Sequence, residues 1–216
     1  MQPDAALDDT LLAQLHAGVE RLGIEPLSDG QLIALLRLVD LLGRWNRVDN
    51  LTAVRDPEHI VRRHVLDSLA VLPHLPSGAV LDVGSGAGFP GLPLAIARPA
   101  QRFVLLDSAA KRTRFMLTAR AELCLSNVDI VHSRIQDHTD DYEVVISRAF
   151  RALASCYRLC WKNVRNRGVL MAMKGREAAA EVAQLPLDDS AMSVRTIPLD
   201  VPGEMAERAL VILTRR

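Results

Sequence analysis

The chain has 216 residues and a mass of 23.7 kDa, enough for one α/β domain or one domain with a small extension. Apolar residues make up 49% and charged residues 24%, which excludes disorder, collagen-like repeats and coiled coil. Lys plus Arg and Asp plus Glu each total 26, and zero net charge argues against coating nucleic acid through bulk positive charge.

Aromatics are only 4%, so the core must come from Leu, Val, Ile and Ala. The opening MQPDAALDDT has neither a basic n-region nor an apolar h-region and does not read as a secretory signal. The leucine-rich stretch 32–42 is interrupted by Arg37 and Asp40 and is too short to span a bilayer. An odd set of cysteines (Cys124, Cys156 and Cys160) without framework spacing suits a reducing cytoplasm. Cys156 and Cys160 stand i,i+4 on an expected helix and could seat a metal. No second His/Cys pair has matching spacing, so they read as small core residues, and no metal is expected.

Residues 1–75 read as helices only, an N-terminal helical cap. One helix covers about 9–22. A second starts at Ser28, which forms an S-x-x-Q capping box with Gln31. Its apolar positions Leu32, Leu35, Leu36, Val39 and Leu42 follow helical spacing, and Trp45 continues the stripe. A third begins with Asp56 as N-cap and Pro57 at the first helical position, runs to about Leu72 and stops at Pro73.

After Pro76 short β-rich apolar runs alternate with helical patterns: AVLDV (79–83), FVLLD (103–107), VDIV (128–131), EVVIS (143–147) and GVLMAM (168–173). Helical segments near 90–98, 109–124, 150–165 and 176–184 separate most of them. Such near-continuous runs in β-α-β-α order predict a doubly wound parallel sheet covered on both faces. Two last runs, 192–199 and 208–214, have no helix between them and predict an antiparallel hairpin. Residues 76–216 are therefore expected to form a seven-stranded, Rossmann-like α/β domain.

The first strand leads into Asp82-Val83-Gly84-Ser85-Gly86-Ala87-Gly88-Phe89-Pro90-Gly91. A glycine-rich turn there lets a ligand approach the backbone at the carboxyl edge of the sheet. A dinucleotide requires G-x-G-x-x-G, and the third small position is Phe89. The glycines Gly84, Gly86 and Gly88 instead fall as G-x-G-x-G, the pattern associated with S-adenosylmethionine. The second strand ends at Asp107, 23 residues after Gly84, where a carboxylate can accept both ribose hydroxyls. Asp107 also suits the N-terminus of the next helix, and both roles can hold.

Residues after the fourth strand face the transferred methyl group in this architecture, and here they read Ile146-Ser147-Arg148-Ala149-Phe150. The Asn/Asp-Pro-Pro-aromatic motif of amino-group methylases is absent. So is a cysteine following proline, common in C5 methylases. A ring nitrogen such as guanine N7 is compatible with both absences. Its lone pair needs no general base, so positioning and exclusion of water can supply much of the acceleration.

The zero net charge hides uneven segments. Residues 148–176 hold eight basic residues and no acid: Arg148, Arg151, Arg158, Lys162, Arg165, Arg167, Lys174 and Arg176. Arg151, Arg158, Lys162 and Arg165 are spaced as one helix face, with Phe150, Tyr157, Trp161 and Val164 on the adjacent face. A second run, 98–120, includes Lys111 and Arg112 and has six basic residues against Asp107 alone. Arginine, whose fork grips phosphates bidentately, supplies 23 of the 26 basic residues. The alternatives are a solvated face and phosphate contacts, and a run this long without an acid favours phosphate contacts.

Several stretches carry a resemblance: WNRVDNLTAVRDPEHIVRRHVLDSL (45–69), LDVGSGAGFPGLPLAI (81–96), LLDSAAKRTRFM (105–116), VISRAF (145–150), MKG (173–175) and VPGEMAER (201–208). Through them the chain resembles, over nearly its whole length, the RsmG (GidB) methyltransferases of bacterial small-subunit ribosomal RNA. The resemblance implies a class I S-adenosylmethionine-dependent methyltransferase, cytoplasmic, that methylates guanine N7 in the 530 loop of 16S rRNA. The substrate would be that RNA, the small ribosomal subunit or its precursor. The family's cofactor positions fall on Gly84, Phe89, Ile135, Gln136 and Arg148, with Gln136 standing where an acid is common. Asn50, Arg134 and Arg208 match further polar positions.

The residues allow these roles. Phe89 can wall the cofactor or pack in the core. Arg148 can hold cofactor or a substrate phosphate, or form an ordinary salt bridge. Arg62, Arg63 and His64 cluster on the third helix, where they can reach RNA phosphates; His64 can equally bond the cap to the domain. A small-molecule methyltransferase and a non-catalytic binding module are the competing readings.

Overall fold

Ser28 caps α2 (Asp29–Asp49) as its spacing predicts. Its hydroxyl accepts from the Gln31 N–H, and the Gln31 side-chain oxygen accepts from the Ser28 N–H at 2.9 Å. The Gln31 amide then donates to the carbonyls of Ile96 (2.9 Å) and Ala97 (3.2 Å) at the end of α5 (Gly91–Ala97). One side chain thus starts a cap helix and docks it to the sheet domain. These features come from a computed structural model that describes residues 9–148, 151–185 and 192–216. Helix α1 (Asp9–Arg21) precedes α2, and Trp45 reaches Phe115 of α6 (Ala110–Glu122) edge-on, with centroids 5.7 Å apart.

The third expected helix is not uniform. Asp56 accepts the His59 N–H and Pro57 opens α3 (Pro57–Ile60), as predicted. The chain then widens into a π-helical turn over Val61–Leu66 before α4 (Asp67–Leu69), and ends in a 3-10 turn over Leu72–His74. Such π-turns are rare and gather at functional sites, because they re-aim side chains. This one carries Arg62, Arg63 and His64.

The seven strands are β1 (Val80–Val83), β2 (Phe103–Asp107), β3 (Val128–His132), β4 (Tyr142–Arg148), β5 (Val164–Lys174), β6 (Met192–Leu199) and β7 (Arg208–Arg215). They lie in the order β3-β2-β1-β4-β5-β7-β6. The first five pair in parallel, while β7 runs antiparallel to both β5 and β6, giving the predicted hairpin. Alternate residues of β2 supply opposite faces. Phe103 and Leu105 join the cap residues Leu15, Leu35, Leu42 and Leu69 in one core. Val104 and Leu106 join Leu153 of α7 (Leu153–Cys160) and Ala178 of α8 (Ala178–Val182) in another. Both faces are covered, so the runs read as continuously apolar. Each fully buried leucine contributes roughly 1.5–3 kcal/mol. Phe103 is completely buried, and truncating such a ring to Ala costs about 3–5 kcal/mol.

The predicted amphipathic helix over 150–165 is corrected. Helix α7 covers only Leu153–Cys160, a 3-10 turn covers Trp161–Asn163, and β5 already begins at Val164. Arg151 precedes the helix, Lys162 sits on the turn and Arg165 lies in the strand, so these residues share no helix face with Arg158. The cause is tertiary. Tyr142 pairs with Val164 across an irregular register, and Arg165 forms ion pairs with Asp141 (2.8 Å) and Glu143. Phe150 of the expected apolar face lies outside the described residues. Cys156 and Cys160 are buried on α7, the core placement expected. No described helix is long and apolar enough to cross a membrane.

Candidate active site

Strand order reverses between β1 and β4, and the carboxyl ends of the strands open there into a crevice, the usual ligand position in such sheets. The glycine loop turns at the end of β1. Gly88 has φ +82°, and a Cβ there would stand 2.3 Å from the Leu92 side chain, so only glycine fits without strain. Gly91 is equally confined, since its Cβ would meet Leu105 at 2.7 Å and Asp82 Oδ2 at 2.8 Å.

Asp82 ties both ends of this loop. Its Oδ2 accepts from the Gly91 N–H at 2.9 Å, and its main-chain oxygen accepts from the Ser85 hydroxyl at 2.9 Å. The residue is fully buried, and burial pushes its carboxyl up to about 7 against the pull of those donors. Its Oδ1 is buried without a hydrogen-bond partner. Asp107 holds the loop from β2. Its Oδ2 accepts from the Gly86 N–H at 2.9 Å and faces Arg112 Nη1 at 3.4 Å, while its Oδ1 accepts from the Ala109 N–H at 2.8 Å ahead of α6.

The crevice has a volume of about 810 Å³. Gly84, Gly86, Phe89, Asp107, Ile135, Gln136 and Arg148 all line it, whereas Gly88 shapes the loop from behind. Ile135 and Gln136 arrive on a 3-10 turn over Ile135–Asp137, after β3. The main-chain oxygen of Gln136 accepts from Lys162 Nζ at 2.7 Å. The cap closes one side with Leu51, Thr52 and His64. His64 Nε2 stands 2.9 Å from Thr52 Oγ1, and Arg148 Nη2 lies 3.3 Å from His64 Nδ1. Burial, reinforced by the Arg148 charge, drives the His64 imidazole down to about 4. The ring is therefore neutral at neutral pH. It bonds the cap to the domain, one of the two roles its sequence position allowed.

Of the predicted RNA-contacting residues, His64, Arg112, Arg134 and Arg151 also line the crevice. The others lie elsewhere. Asn50 ends α2 in the left-handed conformation (φ +47°) and accepts from Arg55 Nη2 at 2.7 Å. Lys111 Nζ reaches the Asp49 carbonyl at 3.0 Å. Arg62 stands 4.0 Å from Glu58, and Arg63 pairs with Glu204 at 3.1 Å. Arg158 donates to Ser155 Oγ at 3.2 Å. Lys174, with a side chain 9% exposed, pairs with Glu181 at 2.9 Å. Arg208 pairs with Asp67 at 3.1 Å.

Two acids escaped the sequence reading of the site, Asp67 and Asp82. Each had a signal: a carboxylate inside an otherwise apolar stretch is rarely buried unless something holds it. The crevice-lining residues include four arginines, Arg112, Arg134, Arg148 and Arg151, and the single acid Asp107, which pairs with Arg112. The crevice offers one apolar wall (Phe89), a carboxylate at a strand end and a basic rim. It fits a nucleoside ligand, and an anionic partner beyond it.

Residues 31–211 match the family described as rRNA small subunit methyltransferase G, GidB. A ribosomal RNA small subunit methyltransferase G of Alkalilimnicola ehrlichii is 43% identical over 208 residues, spanning 95% of this chain and 93% of that protein. Among solved structures, a methyltransferase from Geobacter sulfurreducens superposes with a TM-score of 0.59 at 14% identity, covering 93% of this chain and 97% of that one. TYW2 of M. jannaschii in complex with AdoMet superposes with a TM-score of 0.52 at 13% identity, covering 65% of this chain and 69% of that one. The fold is thus that of a class I methyltransferase, and the chain belongs to the family of small-subunit ribosomal RNA methyltransferases G.

Proposed function

We propose that this chain transfers a methyl group from S-adenosylmethionine to N7 of a guanine in the 530 loop of 16S rRNA, as naked RNA or within the small subunit or its precursor. The observation that carries the reading is the glycine-loop crevice at the β1/β4 reversal, joined to family membership. The neighbour TYW2, whose structure holds AdoMet, supports the choice of donor through its shared fold.

The residues divide the task. The loop around Gly84 and Gly86 lets the ligand approach the main chain, and Asp107 takes the ribose hydroxyls. Phe89 and Ile135 bound it with apolar surface, Gln136 offers its main-chain N–H and side-chain amide, and Asp82 braces the loop from beneath through the Gly91 N–H. When bound, the sulfonium donor supplies an activated methyl that N7 takes with its own lone pair as the carbon–sulfur bond breaks. No residue has to remove a proton, so Arg148 and the neutral His64 serve to orient and to exclude water. The rim arginines Arg112, Arg134 and Arg151 meet phosphates near a base presented unstacked. Residues 1–75 act as a cap on the catalytic unit 76–216, and the enzyme works in the cytoplasm.

The test is methyl transfer to small-subunit RNA from a strain lacking the modification, followed by mapping of the product base. Methylation of a 530-loop guanine at N7 is expected, and transfer to another position overturns the assignment. Transfer to a small molecule without salt-sensitive RNA binding would favour the small-molecule reading.

A further inference from the structure

Arg148 is held from outside the crevice as well as within it. Asp67, at the start of α4 in the cap, is 3% exposed, and its carboxylate stands between two guanidiniums. Its Oδ2 accepts from Arg148 Nη1 at 3.0 Å and its Oδ1 accepts from Arg208 Nε at 3.1 Å. Arg208 Nη2 also approaches Glu204 at 3.5 Å, and Glu204, with a side chain 7% exposed, takes Arg63 Nε at 3.1 Å. One buried carboxylate therefore gathers the cap, the end of β4 and the start of β7. The same Arg148 Nη1 also donates to the Arg63 carbonyl at 3.0 Å, and the guanidinium carbon lies 5.4 Å from the Phe89 ring centroid.

A desolvated ion pair contributes little net stability, because losing hydration offsets the attraction. Its effect on geometry is larger. Without the Asp67 charge, Arg148 and Arg208 would lose the carboxylate they share, with Glu204 left beside Arg208 alone of the two, and the Arg148 guanidinium would be held over Phe89 by the Arg63 carbonyl alone among its oxygen acceptors. An arginine fixed before the ligand arrives loses less side-chain freedom on binding.

We infer that Asp67 is a positioning residue: it fixes the Arg148 guanidinium over Phe89 at the mouth of the crevice. Through Arg208 and Glu204, that placement depends on the docking of the cap and of the loop 200–207. The inference rests on the reading that this crevice takes S-adenosylmethionine.

The test is calorimetric titration of the full chain with S-adenosylhomocysteine in a double-mutant cycle of Asp67→Asn and Arg148→Gln, with thermal melting alongside. Asp67→Asn is expected to weaken binding about tenfold in the wild-type background and less than about twofold when Arg148 is already Gln. A purely structural Asp67 would lower affinity by the same factor in both backgrounds, and that result overturns the inference. Unchanged affinity in Asp67→Asn also overturns it. If Asp67→Asn does not fold, Asp67→Glu, which keeps the charge but moves it by one methylene, is titrated and judged by the same criteria. A wild-type chain that binds no S-adenosylhomocysteine defeats the cofactor reading; wild-type binding with an unaffected Asp67→Asn defeats only the positioning role.

Discussion

The imidazole of His64 lies against the ring of Phe89, with centroids 4.9 Å apart and planes tilted by 33°. A cap residue thereby closes over a residue of the glycine loop, and its buried ring stays neutral at neutral pH. Burial and Arg148 hold its proton affinity down to about 4, below the ordinary 6.5. A folded-state value below the unfolded one contributes stability that is present above about pH 6.5 and lost as pH falls toward 4. Replacing His64 with Gln should remove that sensitivity. Urea unfolding from pH 7 to pH 4 should show the wild type losing on the order of 2 kcal/mol more than His64→Gln. Parallel pH curves for the two proteins would mean that the ring is not held neutral.

Asp82 contributes in the opposite direction. Burial raises its carboxyl to about 7 from 3.8, so its contribution is greatest at low pH and declines as pH rises from about 4 through 7. The two effects overlap and partly cancel, so only single variants separate them. Asp82→Asn keeps an amide oxygen for the Gly91 N–H and cannot ionise. At pH 8 it should unfold at higher urea than the wild type, by on the order of 2 kcal/mol, and at pH 4 the difference should vanish.

The sheet was legible in the sequence because both of its faces are covered. Runs such as FVLLD need no non-local information to be read as buried parallel strands, and the hairpin over 192–199 and 208–214 followed from the missing helix. Caps set by neighbouring residues, Ser28 with Gln31 and Asp56 with Pro57, were equally visible. What stayed hidden was set at a distance. The boundary between α7 and β5 depends on Tyr142 pairing with Val164 and on Asp141 and Glu143 meeting Arg165. The π-turn over Val61–Leu66 leaves no periodicity signal in so short a segment. In the site, Gly84, Gly86, Phe89, Ile135, Gln136 and Arg148 fell around one crevice while Asn50, Gly88 and Arg208 did not, and the pairing of Arg148 and Arg208 with Asp67 spans 81 and 141 residues of chain. A run of basic residues tells how many charges exist and not which acids they meet.

Asp107 offers a direct test of the cofactor crevice. Its carboxylate accepts from the N–H groups of Gly86 and Ala109 and faces Arg112, so it sets the loop as well as standing where ribose would lie. Asp107→Ala should weaken S-adenosylhomocysteine binding by at least about 1 kcal/mol, the order of one or two lost hydrogen bonds. Part of that loss will come from the loosened loop, and amide exchange at Gly86 reports it. Wild-type affinity in this variant would remove Asp107 from the ribose site.

The basic residues divide into those that face the crevice and those that serve the fold, and salt dependence can separate them. Arg134 and Arg151 line the crevice, whereas Arg158 bonds Ser155 on α7 and Arg165 is paired with Asp141 and Glu143. Each phosphate neutralised on a single strand contributes about −0.7 to the slope of log affinity against log salt. Arg134→Glu and Arg151→Glu should each flatten the slope for a 530-loop RNA by roughly that amount, or more because the charge is reversed. Arg165→Glu should leave the slope in place and lower the melting midpoint instead, since it sets three carboxylates together at the edge between β4 and β5. Equal slopes in all three variants would show that RNA meets some other face. A large change in Arg165→Glu alone would place the contact on the β4–β5 edge, away from the crevice.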